Sequence, residues 1–339
     1  MNKTQRALLT ALALAGTSAA MAQSSVTLYG RVNTTVEHQK SGNASVTGMF
    51  NNASRWGIRG TEDLGGGLKA GFALESGFAS DTGVVAGPFF GRQSEVNLSS
   101  NLGMLRLGNF IAESYYATAD YISMHNHDTG SSADMLYTYV MRDTNKLAYR
   151  LPAFGGFTAE GAVSMHEKVP GTSNGYDVAL NYGAGPLGLG LGYTKNPGAT
   201  GVFGGGGFTD AQQLGLRASY AMGPVTLGAY YQYVKADHLN STAADAKRHA
   251  VRLAAMYTMG ASEFHANFGR AEKIKVSGVG NVAGTAANQW TLGYNYNLSK
   301  RTKVYGYYTK LDNGSNINYR GGAAGDDFSS FAVGVRHNF

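Results

Sequence analysis

The chain contains no cysteine, only 6 prolines and 2 tryptophans among 339 residues. After its first two dozen positions it has no apolar run of the ~18 residues that a membrane helix needs. The missing cysteine excludes a disulfide framework, so stability has to come from strand pairing and closure. The missing apolar run excludes helical membrane spans. What is abundant is glycine at 48, tyrosine at 21 and phenylalanine at 15, the mixture expected of many short aromatic-rich strands joined by tight turns. A mean hydropathy of −0.20 resembles that of a soluble protein. A barrel with a watery interior gives the same average, because its apolar residues occupy alternate positions.

The amino terminus reads as a targeting segment. Lys3 and Arg6 precede an apolar run from Ala7 to Ala15, and Ala20-Met21-Ala22 supplies small residues ahead of Gln23. Residues 1–22 are therefore expected to be a cleaved signal peptide and residues 23–339 the exported domain; the apolar run is too short to span a membrane. The formal net charge of +6 includes Lys3 and Arg6, which leave with the leader.

Alternation organises the remainder. The last nine residues, FAVGVRHNF, place Phe331, Val333, Val335, His337 and Phe339 on one parity and Ala332, Gly334, Arg336 and Asn338 on the other. That is the pattern of a strand with one face on an apolar medium and one on water, ending in an interfacial aromatic. Turn signals flanked by such segments occur at 64–67, 100–103, 152–156, 183–187, 221–224, 258–261 and 297–300. Seven hairpins account for fourteen strands, and a first strand at Val26–Val36 with the terminal one makes sixteen. Longer polar stretches lie between the hairpins, near 37–53, 77–89, 109–145, 165–175, 195–211, 235–248, 271–287 and 311–327. The expected fold is all-β, a transmembrane antiparallel β-barrel of sixteen strands with short periplasmic turns and long extracellular loops. A soluble sandwich would not need so large a sheet, nor aromatics at both strand ends.

The segments SSVTLYGRV (24–32), SRWGIRGTEDLGGGLKAGFALESGF (54–78), YRLPAFGGF (149–157) and the terminal VGVRHNF resemble the general porins of Gram-negative bacteria, from the first exported strand to the last residue. The resemblance implies a water-filled outer-membrane channel assembled as a homotrimer, with the second loop latching onto a neighbour. It also implies a third loop, residues 109–145, that folds back into the barrel and narrows the pore. Phe339 would be the outer-membrane insertion signal through which the barrel-assembly machinery reads the terminal strand. One departure is visible: members often follow the fifth strand with Gly-Arg-Gln, whereas this chain has Gly108-Asn109-Phe110 and so lacks that basic group.

Parity also assigns charges to the lumen. With Val26, Leu28, Val32 and Val36 outward, Thr27, Tyr29, Arg31 and Asn33 face water. With Trp56 and Ile58 outward, Arg55 and Arg59 face inward. Lys69 and Glu75 oppose Leu68, Ala70, Phe72 and Leu74, and Arg106 lies between the outward Leu105 and Leu107. Arg92 is ambiguous, since Gln93, Glu95 and Asn97 hold the other parity; that polar parity is consistent with a face turned toward a neighbouring subunit. Arg31, Arg59 and Arg106, with Arg92 and Lys69, are thus the expected basic wall of the constriction. Glu113, Asp120, Asp128 and Asp134 on the third loop, together with Asp143, are the acids facing it, setting up a transverse field at the narrowest point. Weak anion selectivity is the expected outcome, because the loop acids offset the arginines.

Other constellations carry less. His125 and His127 with Asp128 have no third fixed imidazole, so no metal and no cofactor is expected. Tyr115, Tyr116, Tyr121, Tyr137 and Tyr139 either pack the third loop against the wall or line a track for a specific solute, which would make the protein a substrate-specific channel. The glycine run at 204–207 has no strand-to-helix context for a phosphate cradle. The eight histidines have no serine or aspartate partner visible at the spacing of a catalytic set, so no enzymatic activity is expected. Basic residues are dispersed along strands, which argues against nucleic acid, although those near the outer loops could meet lipopolysaccharide phosphates. The expected partners are inorganic ions, small hydrophilic solutes and the outer-membrane lipid.

Overall fold

The structure is a computed structural model that describes residues 25–119, 134–168, 173–199, 202–204, 208–238, 244–320 and 322–339. The expected signal peptide falls outside the described residues. Strands β1 (Ser25–Ser41), β2 (Ala44–Asn51), β3 (Arg55–Gly65), β4 (Leu68–Gly77), β5 (Gln93–Ser100) and β6 (Gly103–Phe110) precede a short helix, α1 (Glu113–Ala117). Then come β7 (Lys146–Arg150), β8 (Phe157–Ser164), β9 (Gly175–Ala184), β10 (Leu187–Pro197), β11 (Phe208–Met222) and β12 (Val225–His238). The last group is β13 (Ala246–Met259), β14 (Ser262–Ala271), the two-residue β15 (Lys275–Val276) and β16 (Gly280–Asn281), β17 (Ala287–Asn297), β18 (Thr302–Asn313) and β19 (Phe328–Asn338).

β2 and β3 are one stave interrupted at residues 52–54, and β15 with β16 is a loop hairpin beside β13, which leaves the expected sixteen staves. Every pairing is antiparallel, and β1 pairs with β19 from Arg31 opposite Asn338 to Ser41 opposite Phe328, closing the sheet. Closure satisfies each ladder N–H and C=O where no water can reach them. All seven short turns expected from sequence connect consecutive staves; at the first of them Gly65, Gly66 and Gly67 take positive φ, which only glycine adopts without strain.

The two faces separate as the alternation requires. Val26, Leu28, Val32 and Val36 are exposed on the outside of β1, whereas Asn33, Thr35 and Glu37 are buried toward the interior. On β19, Phe331, Val333 and Val335 are outward and Ser330 and Ala332 are buried. Phe339 closes the seam: its ring lies so near the Gly30 backbone that a Cβ there would come within 2.4 Å of Phe339 Cζ.

Two expectations are corrected. Most of the stretch 37–53 is strand, because β1 continues to Ser41, turns at Gly42 and returns as β2. Above the hydrocarbon both faces of a strand can be polar, so alternation vanishes there; the pair His38–Thr47, 2.8 Å apart, is one such polar cross-strand contact. Gln93, Glu95 and Asn97 face the interior and hydrogen-bond one another, while Val96 and Leu98 are the outward residues of β5. That polar parity is therefore not a subunit-facing surface.

Glu37 anchors the closing seam. Its carboxylate accepts from Thr35 (2.7 Å), Gln39 (2.8 Å), Tyr307 (3.0 Å) and Ser330 (2.9 Å), joining β1, β18 and β19. Glu37→Ala strands these buried donors and should lower unfolding stability by about 3 kcal/mol, measured as an earlier denaturant midpoint for the loss of the heat-modifiable folded band.

Candidate pore constriction

The third loop is seated on an inner wall stripped of side chains. The run LGLGLGY (187–193) puts Leu189, Leu191 and Tyr193 outward and Gly188, Gly190 and Gly192 inward. A Cβ on Gly190 would lie 1.9 Å from the Ala117 carbonyl oxygen, one on Gly192 would lie 2.7 Å from Ser114 Cβ, and one on Gly215 of β11 would lie 2.9 Å from Thr118 Oγ1. The glycines thus make the groove in which α1 lies. Polar side chains around it fasten the loop. Ser114 donates to Asp177, and its hydroxyl is 3.0 Å from Thr194 Oγ1. The Met135 N–H donates to Gln289 at 3.2 Å, and Thr138 exchanges backbone bonds with Gln232 at 3.1 and 3.0 Å. Arg248 donates to the Leu136 carbonyl at 3.4 Å and to the Thr138 hydroxyl.

Opposite the loop, β3 to β8 carry most of the inward charge. Glu75 serves two guanidinium groups, Arg92 at 2.5 Å and Arg55 at 3.7 Å. Arg106 is buried and clasped by Glu95 (2.7 Å) and by Glu160 (3.0 Å), with the Phe110 ring 4.1 Å from its guanidinium carbon. Arg150 pairs with Glu160 at 2.9 Å and with Glu113 of α1 at 2.5 Å, so the network ties the helix to the wall. Burial pushes the Glu113 carboxyl above its ordinary value, and Arg150 opposes that shift. On the other flank Arg55 stands opposite Arg31, and Arg336 stands opposite both Asn33 and Lys303; Lys303 pairs with Glu263 at 3.2 Å.

The expected site residues divide accordingly. Arg31, Arg59 and Arg106 all point inward: Arg59, stacked 4.9 Å above the Tyr29 ring, lines one cavity with Arg106 of the glutamate network and Arg150, while Arg31 donates to Asn338 at 3.2 Å. Arg92 lies in the loop before β5 and lines the same space as Arg55 and Asp134. Lys69 shares Glu75's parity but sits six residues nearer the short turn, roughly 20 Å away along an extended strand, and so stands apart from the constriction. Glu113 faces the wall, and Asp134 lines a cavity with Arg55, Arg92 and Tyr139. Asp120 and Asp128, together with Tyr121, His125 and His127, lie outside the described residues. The expected wall omits Arg150, Lys303 and also Arg336, whose water-facing parity the terminal strand already gave. Arg150 was legible in the same way, since it alternates with the outward Tyr149. At the departure noted above, Asn109 donates to the Gly91 carbonyl (2.9 Å), and the cation at the mouth of the loop is Lys146, whose ammonium donates to the Phe110 carbonyl at 2.8 Å.

A closed barrel narrowed by an inward loop with charged walls has the form of a diffusion channel, and comparison with known proteins decides the family. Residues 8–316 match the family described as Gram-negative porin. The chain belongs to that family. This porin is 34% identical to outer membrane porin protein 32 of Delftia acidovorans, over 99% of its own length and 100% of the relative's. An outer membrane porin protein of Bordetella pertussis is 31% identical over 99% and 100% of the two chains. Among solved structures, an anion-selective porin from Comamonas acidovorans superposes with a TM-score of 0.79 at 31% identity, covering 94% of this chain and 100% of that one. OmpT of Vibrio cholerae shares the fold, with a TM-score of 0.68 at 15% identity and coverage of 93% and 98%. The porin resides in the outer membrane and lets ions and small hydrophilic solutes diffuse through its lumen.

Removing the buried cation separates structural from conducting charge. Arg106→Met leaves the buried Glu95 without its cation and Glu160 with Arg150 alone, and is expected to cost about 3 kcal/mol of stability, read from denaturant unfolding. Gly190→Val should dislodge α1 while the barrel stays folded, seen as a changed single-channel step size with the heat-modifiable band retained.

Proposed function

We propose that this porin is a weakly anion-selective diffusion channel working as a homotrimer. The observation that carries the selectivity is the convergence of Arg55 and Arg92 beside Glu75 where the third loop faces the wall. The row continues through Arg31 and Arg336, so an anion crossing the narrow section meets guanidinium groups on neighbouring staves. These remain charged at every relevant pH. Glu113, Asp134 and Asp143 temper the preference, and screening over about 8 Å at physiological salt keeps it modest. The name of the Comamonas acidovorans relative is in keeping with this sign. Constriction roles for Arg31, Arg59, Arg92 and Arg106 on the wall and Glu113 and Asp134 on the loop are part of the proposal, with Arg106 acting through the position of Arg150 and α1.

The trimer is supported by the second loop. Val84, Val85 and Phe89 are exposed on it, and Phe89 packs edge to face on the outward Trp56 at 6.1 Å, so an apolar arm lies over the outer face of the first staves. Phe339, on the seam, fits a role as the insertion signal read by the barrel-assembly machinery. Outward Lys195, Lys235 and Lys310 at the loop ends of their strands suit contact with lipopolysaccharide phosphates. No catalytic role is proposed: His38, His249 and His337 bond threonine or tyrosine hydroxyls rather than an activated nucleophile.

Planar-bilayer recording under a KCl gradient tests the reading. Conductance steps grouped in threes and a reversal on the chloride side are expected. Replacing Arg31, Arg55 and Arg92 with serine should lower the anion-to-cation permeability ratio by roughly twofold or more, since lumen charge sets selectivity; an unchanged reversal potential would refute the assignment.

A further inference from the structure

We infer that the inner wall on the periplasmic side of Arg55 holds a site for tetrahedral oxyanions of the phosphate type, built on Arg59 with the hydroxyls of Thr27 and Thr61; this rests on the anion-channel reading above. A cavity of about 370 Å³ lies against the wall there, lined by these three residues and by Tyr29. That volume is within the ~300–1,000 Å³ usual for small-molecule sites. Arg59 comes four residues after Arg55 on β3, roughly 13 Å nearer the short turn along an extended strand, so an anion entering from outside meets it after Arg55.

Local packing fixes where this guanidinium sits. Gly57 pairs with Tyr29 across β1 and β3, and a Cβ on it would come within 2.8 Å of Tyr29 Cζ, so the missing side chain is what lets the ring lie over β3. The Arg59 guanidinium carbon is then 4.9 Å from the centre of that ring. Arg59 is exposed to the lumen, and among the described residues it donates to no carbonyl and pairs with no carboxylate. A guanidinium seated on a ring by one face and open at its edge is preorganised to meet an oxyanion with two parallel N–H groups.

Neighbouring residues supply donors on other sides. Thr27 stands directly opposite Arg59, and Thr61 is the next inward residue of β3; both are exposed. The floor beyond them is bare, since Arg59 faces Ala73 and Thr61 faces Gly71 on β4. Donors on more than one side of a small space fit oxygens arranged as a tetrahedron, whereas a planar anion uses the guanidinium fork alone. The acids on this wall are engaged elsewhere. Glu95, which also lines the cavity, accepts from Arg106 (2.7 Å), Gln93 (2.8 Å) and Asn97 (3.0 Å), and Glu75, diagonal to Arg59 on β4, accepts from Arg92.

Reduction of the chloride current by phosphate, sulfate, nitrate and squarate, each added to the purified channel in KCl, tests this; squarate is a planar dianion and separates shape from charge. Phosphate and sulfate should block at concentrations about fivefold or more below nitrate and squarate, the ratio expected from the added hydroxyl bonds. Arg59→Gln should raise the half-blocking phosphate concentration about tenfold, and Thr27→Val or Thr61→Val about threefold with nitrate little changed. Tyr29→Leu keeps every charge but removes the seat of the guanidinium, so it should weaken phosphate block severalfold, and Tyr29→Phe should retain it. Equal block by phosphate and squarate, or unaltered phosphate block in an Arg59→Gln channel that keeps its heat-modifiable band, overturns the site and leaves the anion-channel reading standing. A reversal potential on the potassium side overturns that reading and this inference with it.

Discussion

Everything in this molecule depends on the backbone having no water to bond with at the level of the hydrocarbon. Each strand must find two neighbours, so the sheet closes on itself, β1 meeting β19, and once closed it can only present alternate side chains to two different media. The outward set, such as Val26, Leu28, Phe331 and Val333, needs only to be apolar. The inward set is freed to do other work, and it divides that work between fastening a loop and carrying charge.

The fastening half spans β9 to β17. Glycines at 190, 192 and 215 remove the side chains that would collide with α1, and Asp177, Gln232, Arg248 and Gln289 supply bonds to the loop backbone and hydroxyls. Among the described residues, a cavity lined by arginine and tyrosine lies between the loop held this way and the wall that carries Arg55 and Arg92. The charged half follows a different logic. Arg106 is clasped between Glu95 and Glu160 and acts as a cross-link, whereas Arg55 and Arg92 converge on Glu75 beside the cavity that faces the third loop. The same residue type on neighbouring staves therefore has two roles, decided by burial and by what each guanidinium group faces.

Much of this was legible in the chain before any coordinates. Turn signals, alternation and the aromatic terminus determined the strand count, the seam and the inward parity of Arg31, Arg55, Arg59 and Arg106, since these depend on a period of two that any reader of the sequence can apply. Where the strands rise above the membrane the period fails, as at 37–53, and where a strand has few apolar residues, as in QSEVNLS, the parity is ambiguous from sequence. Alternating glycine in LGLGLG was a visible sign of close backbone approach, though not of what approaches.

What only the tertiary structure decided is which inward groups meet. Glu113 comes from the third loop, so its arrival at Arg150 has no local signature, whereas Glu160 faces Arg150 across the β7–β8 hairpin and reaches Arg106 from the next stave but one. Sequence determined the face on which each charge sits because that is a property of the single strand. The structure determined which charges meet at the narrow section because that depends on strands and a loop brought together by closure.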